Sequence, residues 1–220
     1  MRIIVLGIWL LLFMVVPLAA QPSPLPPVNG EALSKETGYF NLLVDPAEYP
    51  GAKKGETVDV RLLSRIVAHG LVYGIDFQRV GTDQKIKIDE RIYAIVRELE
   101  LEEYAEYDGA VRFTYSYQYI VNDMDEKKLS RSIEGVGESK EKDMADAWKE
   151  ARELAFVDAV ENALKREYTD NQIAIPNEVI GMITTYEILY DDYSFTDKVY
   201  RFKVKAWVSF KPRENFIATG

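Results

Sequence analysis

One feature constrains the fold of this chain more than any other: alanines recur every four residues within the segment 139–166. This spacing places them on one face of an α-helix, and Phe156, Val160 and Leu164 widen that face. Small side chains let a neighbouring backbone come unusually close, and the flanking segments have strand-like patterns. The segment therefore predicts a long helix, capped by Ser139 and packed on a sheet. The members of this alanine row are Ala147, Ala151, Ala155, Ala159 and Ala163.

The segments around this helix have the patterns of half-buried strands. Apolar and polar residues alternate over 111–121 and again over 200–210, while 179–190 is rich in β-branched and aromatic residues. The polar residues 122–126 predict a hairpin turn that leads into a second strand. We therefore expect 109–212 to be an α+β domain, ordered strand–strand–helix–strand–strand, in which the long alanine-rich helix lies across an antiparallel sheet.

The preceding residues, 31–108, predict a smaller segment that mixes helix and strand. Residues 39–44 predict a short strand, and from Thr57 onward apolar residues at helical spacing predict a helix that ends by Gly74. Asp89 is a candidate cap for a second helix. The apolar stripe of that second helix would be Ile92, Ile95, Val96 and Leu99. Residues 213–220 are expected to be a tail.

Residues 1–20 have the layout of a secretory signal peptide. Arg2 precedes an apolar run over 3–16, and a proline and small residues follow, so we expect cleavage after Ala20. Residues 21–30 are rich in proline and predict an extended linker. The alternative is an uncleaved helix that anchors the chain, since the run is close to the ~20 residues that a membrane span needs. Both interpretations predict export, to the periplasm or outside the cell.

Composition excludes several kinds of chemistry. The 220 residues include no cysteine, which rules out disulfides, thiolate zinc sites and cysteine nucleophiles. The single histidine, His69, disfavours a multi-histidine metal site, and we expect local contacts to satisfy it near a helix end. The net charge of −9 disfavours nucleic-acid binding. Neither a phosphate-binding glycine loop nor a Gly-x-Ser-x-Gly elbow is present, and we expect no cofactor.

The strongest candidate binding surface lies on the last predicted strand. Arg201, Lys203, Lys205 and Trp207 alternate with an apolar set that must face the helix. They therefore predict a basic outer face that carries a tryptophan. Such a stripe would meet an acidic partner or an acidic polymer.

Tyrosines on the strand 111–121 form a second candidate. Tyr115, Tyr117 and Tyr119 share one face, and tyrosine is favoured at interfaces because it combines area with a polar tip. For Tyr115 and Tyr117 we favour core packing against the alanine row, which leaves Tyr119 as the binding candidate.

Four aspartates are weak candidates for a Ca²⁺ site. Asp123 and Asp125 lie in one predicted turn, and Asp191 and Asp192 lie in another. Strand order would have to bring the two turns together for their oxygens to converge on one ion. The commoner reason for aspartate at such positions is that it suits turns, and we favour that explanation.

Four segments resemble a known family. Residues 134–139 (EGVGES), the helix that continues through 158–160, the segment 179–190 and the alternating strand 200–210 are similar to the amino-terminal domain of flagellar assembly protein T and to related small bacterial envelope lipoproteins. The resemblance spans about 109–212. It implies a non-enzymatic, periplasmic structural module that joins a larger envelope assembly. The connection from the helix to the third strand is shorter here than in that family.

A second resemblance points to a different class. Gly135-x-Gly137 followed by 149–151 and 158–166 is similar to the core of single-strand-annealing recombination proteins, which act on DNA through basic grooves. The acidic composition and the leader disfavour it.

The favoured prediction is an exported, non-enzymatic binding or structural module of the cell envelope. Its expected partner is an envelope protein or an acidic surface polymer, and a second copy of the chain is a further candidate. Membrane contact is expected only through an uncleaved leader. The alternative is an envelope hydrolase or ligand-binding protein that uses a carboxylate or Ca²⁺ site.

Overall fold

A computed structural model describes four stretches of the chain, and within them it confirms the α+β class. The described residues are 34–80, 85–107, 109–128 and 130–212. The predictions of a signal peptide, a proline-rich linker and a carboxyl-terminal tail all lie outside these residues. None of the described helices combines the length and the apolar composition that crossing a bilayer requires.

Within the described residues, eight strands form two antiparallel sheets, accompanied by three α-helices. The strands are β1 Lys35–Val44, β2 Ile75–Val80, β3 Lys85–Asp89, β4 Glu100–Glu106, β5 Val111–Ile120, β6 Ile133–Ser139, β7 Val179–Ser194 and β8 Val199–Pro212. The helices are α1 Val58–Tyr73, α2 Val121–Lys127 and α3 Met144–Leu164, which continues into a π-helical turn, Lys165–Thr169. One sheet has the order β1-β5-β4, and the other has the order β3-β2-β7-β8-β6.

The long helix α3 packs on the five-stranded sheet through the alanine row, as predicted. Every alanine of the row is at most 2% exposed. The reason for this close approach lies opposite, in β6. A Cβ added to Gly135 would collide with the carbonyl of Ala155, and one added to Gly137 would collide with the carbonyl of Ala151. Helix and strand therefore touch backbone to backbone, which only glycine and alanine permit.

The predicted cap of α3 is wrong. Asp143 is the N-cap, and its carboxylate accepts hydrogen bonds from the amides of Ala145 at 2.8 Å and Asp146 at 3.3 Å. Ser139 is the last residue of β6, and its hydroxyl donates to the carboxylate of Glu150. Serine and aspartate are both favoured caps, so the residue at which β6 ends decides between them.

The predicted strand pairing is also wrong. Residues 121–127 form helix α2 where a hairpin turn was expected, and β5 pairs with β1 and β4. Strand β6 pairs instead with β8, in the other sheet. Each sheet pairs strands that precede residue 108 in the sequence with strands that follow it. The boundary between segments that was expected at this residue therefore does not separate the two sheets. A two-residue period shows that a strand is half-buried but does not identify its neighbour.

In the first half, one predicted helix forms and the other does not. Helix α1 begins after Thr57, whose hydroxyl accepts from the amide of Val60 at 3.3 Å, and it ends at Gly74, where φ is +93°. Asp89 instead ends β3, and the segment that follows it is irregular until β4. Its apolar residues divide between two environments, since Val96 is 7% exposed whereas Ile95 is 76% exposed. The buried residues, such as Val96, anchor this loop to the core at separate points.

Tyr115 and Tyr117 are buried in the core, as expected. Their ring contacts lie within the three-stranded sheet, where Phe40 stacks on Tyr115 with ring centroids 5.5 Å apart. The hydroxyl of Tyr115 donates to Glu56 at 2.6 Å. Burial and this bond raise the pKa of Tyr115, so the hydroxyl stays protonated and keeps the contact.

Candidate functional site

The five-stranded sheet has one covered and one uncovered face. Helix α3 covers the face of Gly135 and Gly137; we call the opposite face the open face. Register places Lys87, Gln78, Ile180 and Lys211 in one line across β3, β2, β7 and β8 on the open face. The neighbouring line on the same face is Asp89, Asp76, Met182 and Ser209. Side chains from four strands therefore converge here, although they are far apart along the chain.

The predicted basic stripe lies on the open face, but each of its cations is paired with an acid of a neighbouring strand. The pairs are Arg201 with Glu138 at 2.9 Å, Lys203 with Glu134 at 2.7 Å, and Lys205 with Glu187 at 3.5 Å. Burial alone would raise the pKa of Glu187, but its bonds to Lys128 and Lys205 outweigh burial and lower it. The stripe is thus largely neutralised within the protein.

Trp207 was predicted to be exposed, but it is only 6% accessible to solvent. The ammonium groups of Lys128 and Lys205 lie 5.0 Å and 4.9 Å from its ring centroid. Helix α2 and the residues after it cover this part of the open face, and the hydroxyl of Thr184 lies 2.8 Å from the carbonyl of Lys127. The sequence pattern did not predict this cover over Trp207, because the residues of α2 were expected to form a turn.

Two hollows lie on the open face and meet at Ser209. The first, of about 490 Å³, lies over the lines of Gln78 and Asp76, and Ile180 and Met182 contribute apolar surface to it. The second, of about 520 Å³, lies between α2 and the sheet. Both are lined by Ser209, and we call the two together the trough. Its volume is in the range of ligand-binding sites.

The charges of the trough are unequally satisfied. Asp89 forms an ion pair with Arg91 at 2.5 Å, and Asp76 accepts a hydrogen bond from the hydroxyl of Tyr93 at 2.7 Å. Burial and that bond raise the pKa of Tyr93 to about 12, so the hydroxyl remains a donor at neutral pH.

Two lysines beside the first hollow are unsatisfied by comparison: Lys211 lines it, and Lys87 lies at the opposite end of the same line across the sheet. Lys87 and Lys211 are exposed, and neither pairs with another described residue. Three strand spacings separate them, about 14 Å. Asp76 and Asp89 of the first hollow already have partners and these lysines do not, so the first hollow favours an anionic occupant. The second hollow is lined by the carboxylates of Asp123 and Glu126 and does not share this preference.

Tyr119, the other predicted binding residue, is not part of the open face. It lies near the end of β5, where its hydroxyl donates to Glu36 at 2.8 Å. Burial and this bond raise the pKa of Tyr119. The ring lines a separate cavity on the other side of α2.

The four aspartates do not come together. Asp123 and Asp125 lie on α2, against which Thr184 packs, whereas Asp191 lies seven residues further along β7, roughly 20 Å away. Asp191 accepts from the hydroxyl of Tyr200 at 2.7 Å, and burial raises its pKa. No cluster of three or more histidine, aspartate or glutamate side chains in the described ranges is arranged to hold a metal ion.

His69 is buried inside α1, close to its end. Its Nε2 accepts a hydrogen bond from the amide of Tyr93 at 3.3 Å, and Tyr73 and Tyr93 pack on the ring. Burial lowers the pKa of His69 and so favours the neutral imidazole that this bond requires.

The sequence pattern did not identify Lys87, Lys211, Ile180 and Met182 as parts of one site. The alternating segment Lys85–Asp89 was a usable strand signal for β3. Its position beside β2, and that of β2 beside β7, depend on pairing that local pattern does not specify.

Comparison with known proteins adds no relative. No family model matches the chain, and neither a curated protein nor a solved structure is significantly similar to it. The function must therefore be argued from the arrangement of its own side chains.

Proposed function

We propose that this protein is a non-enzymatic binding module of the bacterial cell envelope, and that its trough binds an acidic segment of another envelope protein. The observation that supports this site most directly is the contrast in charge satisfaction around the first hollow. Lys87 and Lys211 have no partner among the described residues, whereas Asp76 and Asp89 are already bonded. The envelope location rests on the leader-like sequence of 1–20.

An extended peptide fits the trough better than a uniformly charged polymer. Ile180 and Met182 lie on its floor beside the polar Gln78, which suits a ligand with both apolar and acidic side chains. The separation of about 14 Å between the lysines corresponds to four residues of extended chain, at ~3.3 Å per residue. Side chains four residues apart point to the same side of such a chain, so two carboxylates would reach both lysines.

The resemblance to the flagellar assembly family is compatible with this proposal, and a flagellar role remains a prediction. The alternative of an envelope hydrolase or Ca²⁺-dependent binding protein gains no specific support. Its candidate aspartates lie in two separate places, and the cavity lined by Asp191 and Asp192 has a volume of only about 50 Å³.

The experiment uses a synthetic peptide with two glutamates four residues apart, together with a version in which both are glutamines. We expect the full chain to bind only the glutamate peptide in fluorescence anisotropy, and the binding to weaken with salt. Reversing Lys87 and Lys211 to Glu should weaken it by about tenfold, because each exposed ion pair contributes up to ~1 kcal/mol and is replaced by repulsion.

The matched control reverses Lys140 and Lys149 to Glu, which changes the net charge equally. Both residues are exposed and lie away from the trough. Equal weakening in the two double variants would mean general electrostatics and would contradict the proposed site. Binding of alginate but not of the peptide would show instead that the partner is an acidic polymer.

A further inference from the structure

A second cavity, of about 300 Å³, lies on the other side of α2 from the trough. It is enclosed by the last turn of α1, the end of β5, helix α2 and the irregular segment before β4. It shares only Asp123 and Lys127 with the trough. We call it the tyrosine cavity, because the rings of Tyr73 and Tyr119 form two of its walls.

The apolar part of the tyrosine cavity is preformed. Four aliphatic or sulfur-containing side chains line it, and Val96 and Met124 are at most 8% exposed. These four are Val72, Val96, Ile120 and Met124. A ligand would therefore meet an apolar surface that is already in place, which reduces the entropic cost of binding.

Both aromatic walls are held in position by neighbouring groups. Tyr119 is fixed at its hydroxyl by Glu36 at 2.8 Å. The ring of Tyr73 lies 5.1 Å from the ring of His69 and 5.3 Å from the ammonium group of Lys127. The two rings are therefore held in place as walls of the cavity.

Among the charged side chains that line the tyrosine cavity, one cationic side chain has no partner within the described residues. Lys35 and Glu98 pair with each other at 3.3 Å. The ammonium group of Lys127 donates to the carbonyl of Val72, and Asp123 lies one turn earlier on the same helix. Arg97 is exposed and has no partner among the described residues.

Lys127 adds to the preference for an anion. Burial lowers its pKa, and the charge of Asp123 acts in the opposite direction. Within the described residues its ammonium group donates a hydrogen bond to a neutral carbonyl, so part of its donor capacity faces the cavity. A negative group bound nearby would favour the charged form of the lysine.

We propose that the tyrosine cavity binds a small monocarboxylate that carries an aromatic or aliphatic group. The apolar group lies between Tyr73 and Tyr119, and the carboxylate pairs with Arg97 at the cavity mouth. A guanidinium binds a carboxylate through two parallel hydrogen bonds, which explains why an arginine suits this position. This site is distinct from the trough and does not depend on its function.

The probes are phenylacetate and octanoate, with phenylacetamide as the uncharged counterpart of the first. We expect calorimetry on the full chain to give Kd values on the order of 1 mM for at least one carboxylate, as suits a ligand of this size. Phenylacetamide should bind at least fivefold more weakly than phenylacetate. Arg97→Gln should weaken the carboxylates about tenfold and leave phenylacetamide unchanged, because the neutral probe forms no ion pair.

Arg65→Gln is the matched control, since Arg65 is an exposed arginine of α1 that does not line the cavity. It should leave every affinity unchanged. Tyr119→Ala removes one wall and should weaken phenylacetate and phenylacetamide alike. Thermal unfolding and circular dichroism of each variant separate a lost site from a lost fold.

Three results would overturn the proposal. The first is that neither carboxylate binds to the native chain. The second is that Arg97→Gln weakens binding no more than Arg65→Gln does. The third is that the folded Tyr119→Ala variant binds phenylacetate as tightly as the native chain does.

Discussion

The covered and open faces of the five-stranded sheet are built on opposite principles. On the covered face, Gly135 and Gly137 lie directly against the backbone of α3, and no room is left for a side chain between them. On the open face, long charged side chains pair across β6 and β8, and the trough lies elsewhere on the same face. Small residues bring two backbones together and stabilise the fold, whereas long residues keep space above the sheet. The face that contributes least to stability is therefore the one available for binding.

The two edges of the same sheet differ in a related way. Side chains of α3 satisfy the outer backbone groups of β6: Asp158 accepts from the amide of Val136 at 3.0 Å, and Asn162 donates to the carbonyl of Glu134 at 3.3 Å. One turn later, Arg166 donates to two carbonyls just before β6. Edge β3 instead presents exposed lysines, which discourage strand addition by repulsion.

The largest expected effect tests the covered face. Gly137→Val should lower the free energy of unfolding by about 3 kcal/mol or more, because the new side chain collides with backbone atoms of α3 that cannot move aside. Val136→Ala is the control on the same strand, since Val136 is 47% exposed. Urea denaturation measures both. A Gly137→Val variant as stable as the native protein would mean that helix and strand are not in close contact.

A smaller effect is expected at the ion pair that joins α3 to the residues after β3. Arg152 is 8% exposed in its side chain and donates two hydrogen bonds to Glu90, at 2.8 Å and 2.5 Å. Glu90→Gln should cost about 2 kcal/mol in urea denaturation, because it leaves a buried guanidinium uncompensated. Adding Arg152→Met should restore part of the loss. If the double variant lost the sum of both single effects, the two groups would not be coupled.

A pH effect should distinguish a carboxylate held near α3 from those on the open face. Burial raises the pKa of Asp191, so the folded state binds its proton more tightly than the unfolded state does. The contribution of Asp191 to stability should therefore decline as pH rises from its ordinary value of 3.8 through the raised pKa. Asp191→Asn removes this decline, and the stability difference between variant and native protein should grow with pH and then level off. A pH-independent difference would contradict the assignment.

The smallest effect is expected on the open face. Lys203→Gln breaks the ion pair with Glu134. The side chains of Lys203 and Glu134 are 37% and 60% exposed. Solvent screens such a pair, so the free energy of unfolding should change by less than ~0.5 kcal/mol. A loss comparable to that of Glu90→Gln would show that the ion pairs of the open face carry as much stability as the covered face does.

Short-range signals in the chain were sufficient for several elements. The four-residue period of Ala147 to Ala163 identified α3 and its buried side, and Thr57 identified the start of α1. The alternation in β8 placed Arg201, Lys203 and Lys205 on the side away from α3. Each signal depends on backbone geometry within one element, which is why it can be read without knowing the neighbours.

Other elements depended on contacts across the fold. The acidic residues of 122–126 suit a turn, yet α2 forms there. Its Met124 is buried against Thr185, and Lys127 donates to the last turn of α1. These contacts join residues more than 50 positions apart. Propensity alone could not have shown that they outweigh the local preference for a turn.

The amino-acid sequence by itself determined the α+β class, the long helix and the apolar side of its main strands. Only the tertiary structure decided that β6 lies beside β8 and β2 beside β7, and hence that Glu138 meets Arg201 while Lys87 and Lys211 end the same line across the open face. The physical reason is that side-chain direction repeats with the local backbone. The choice of a strand's neighbour instead depends on the packing free energy of the whole core.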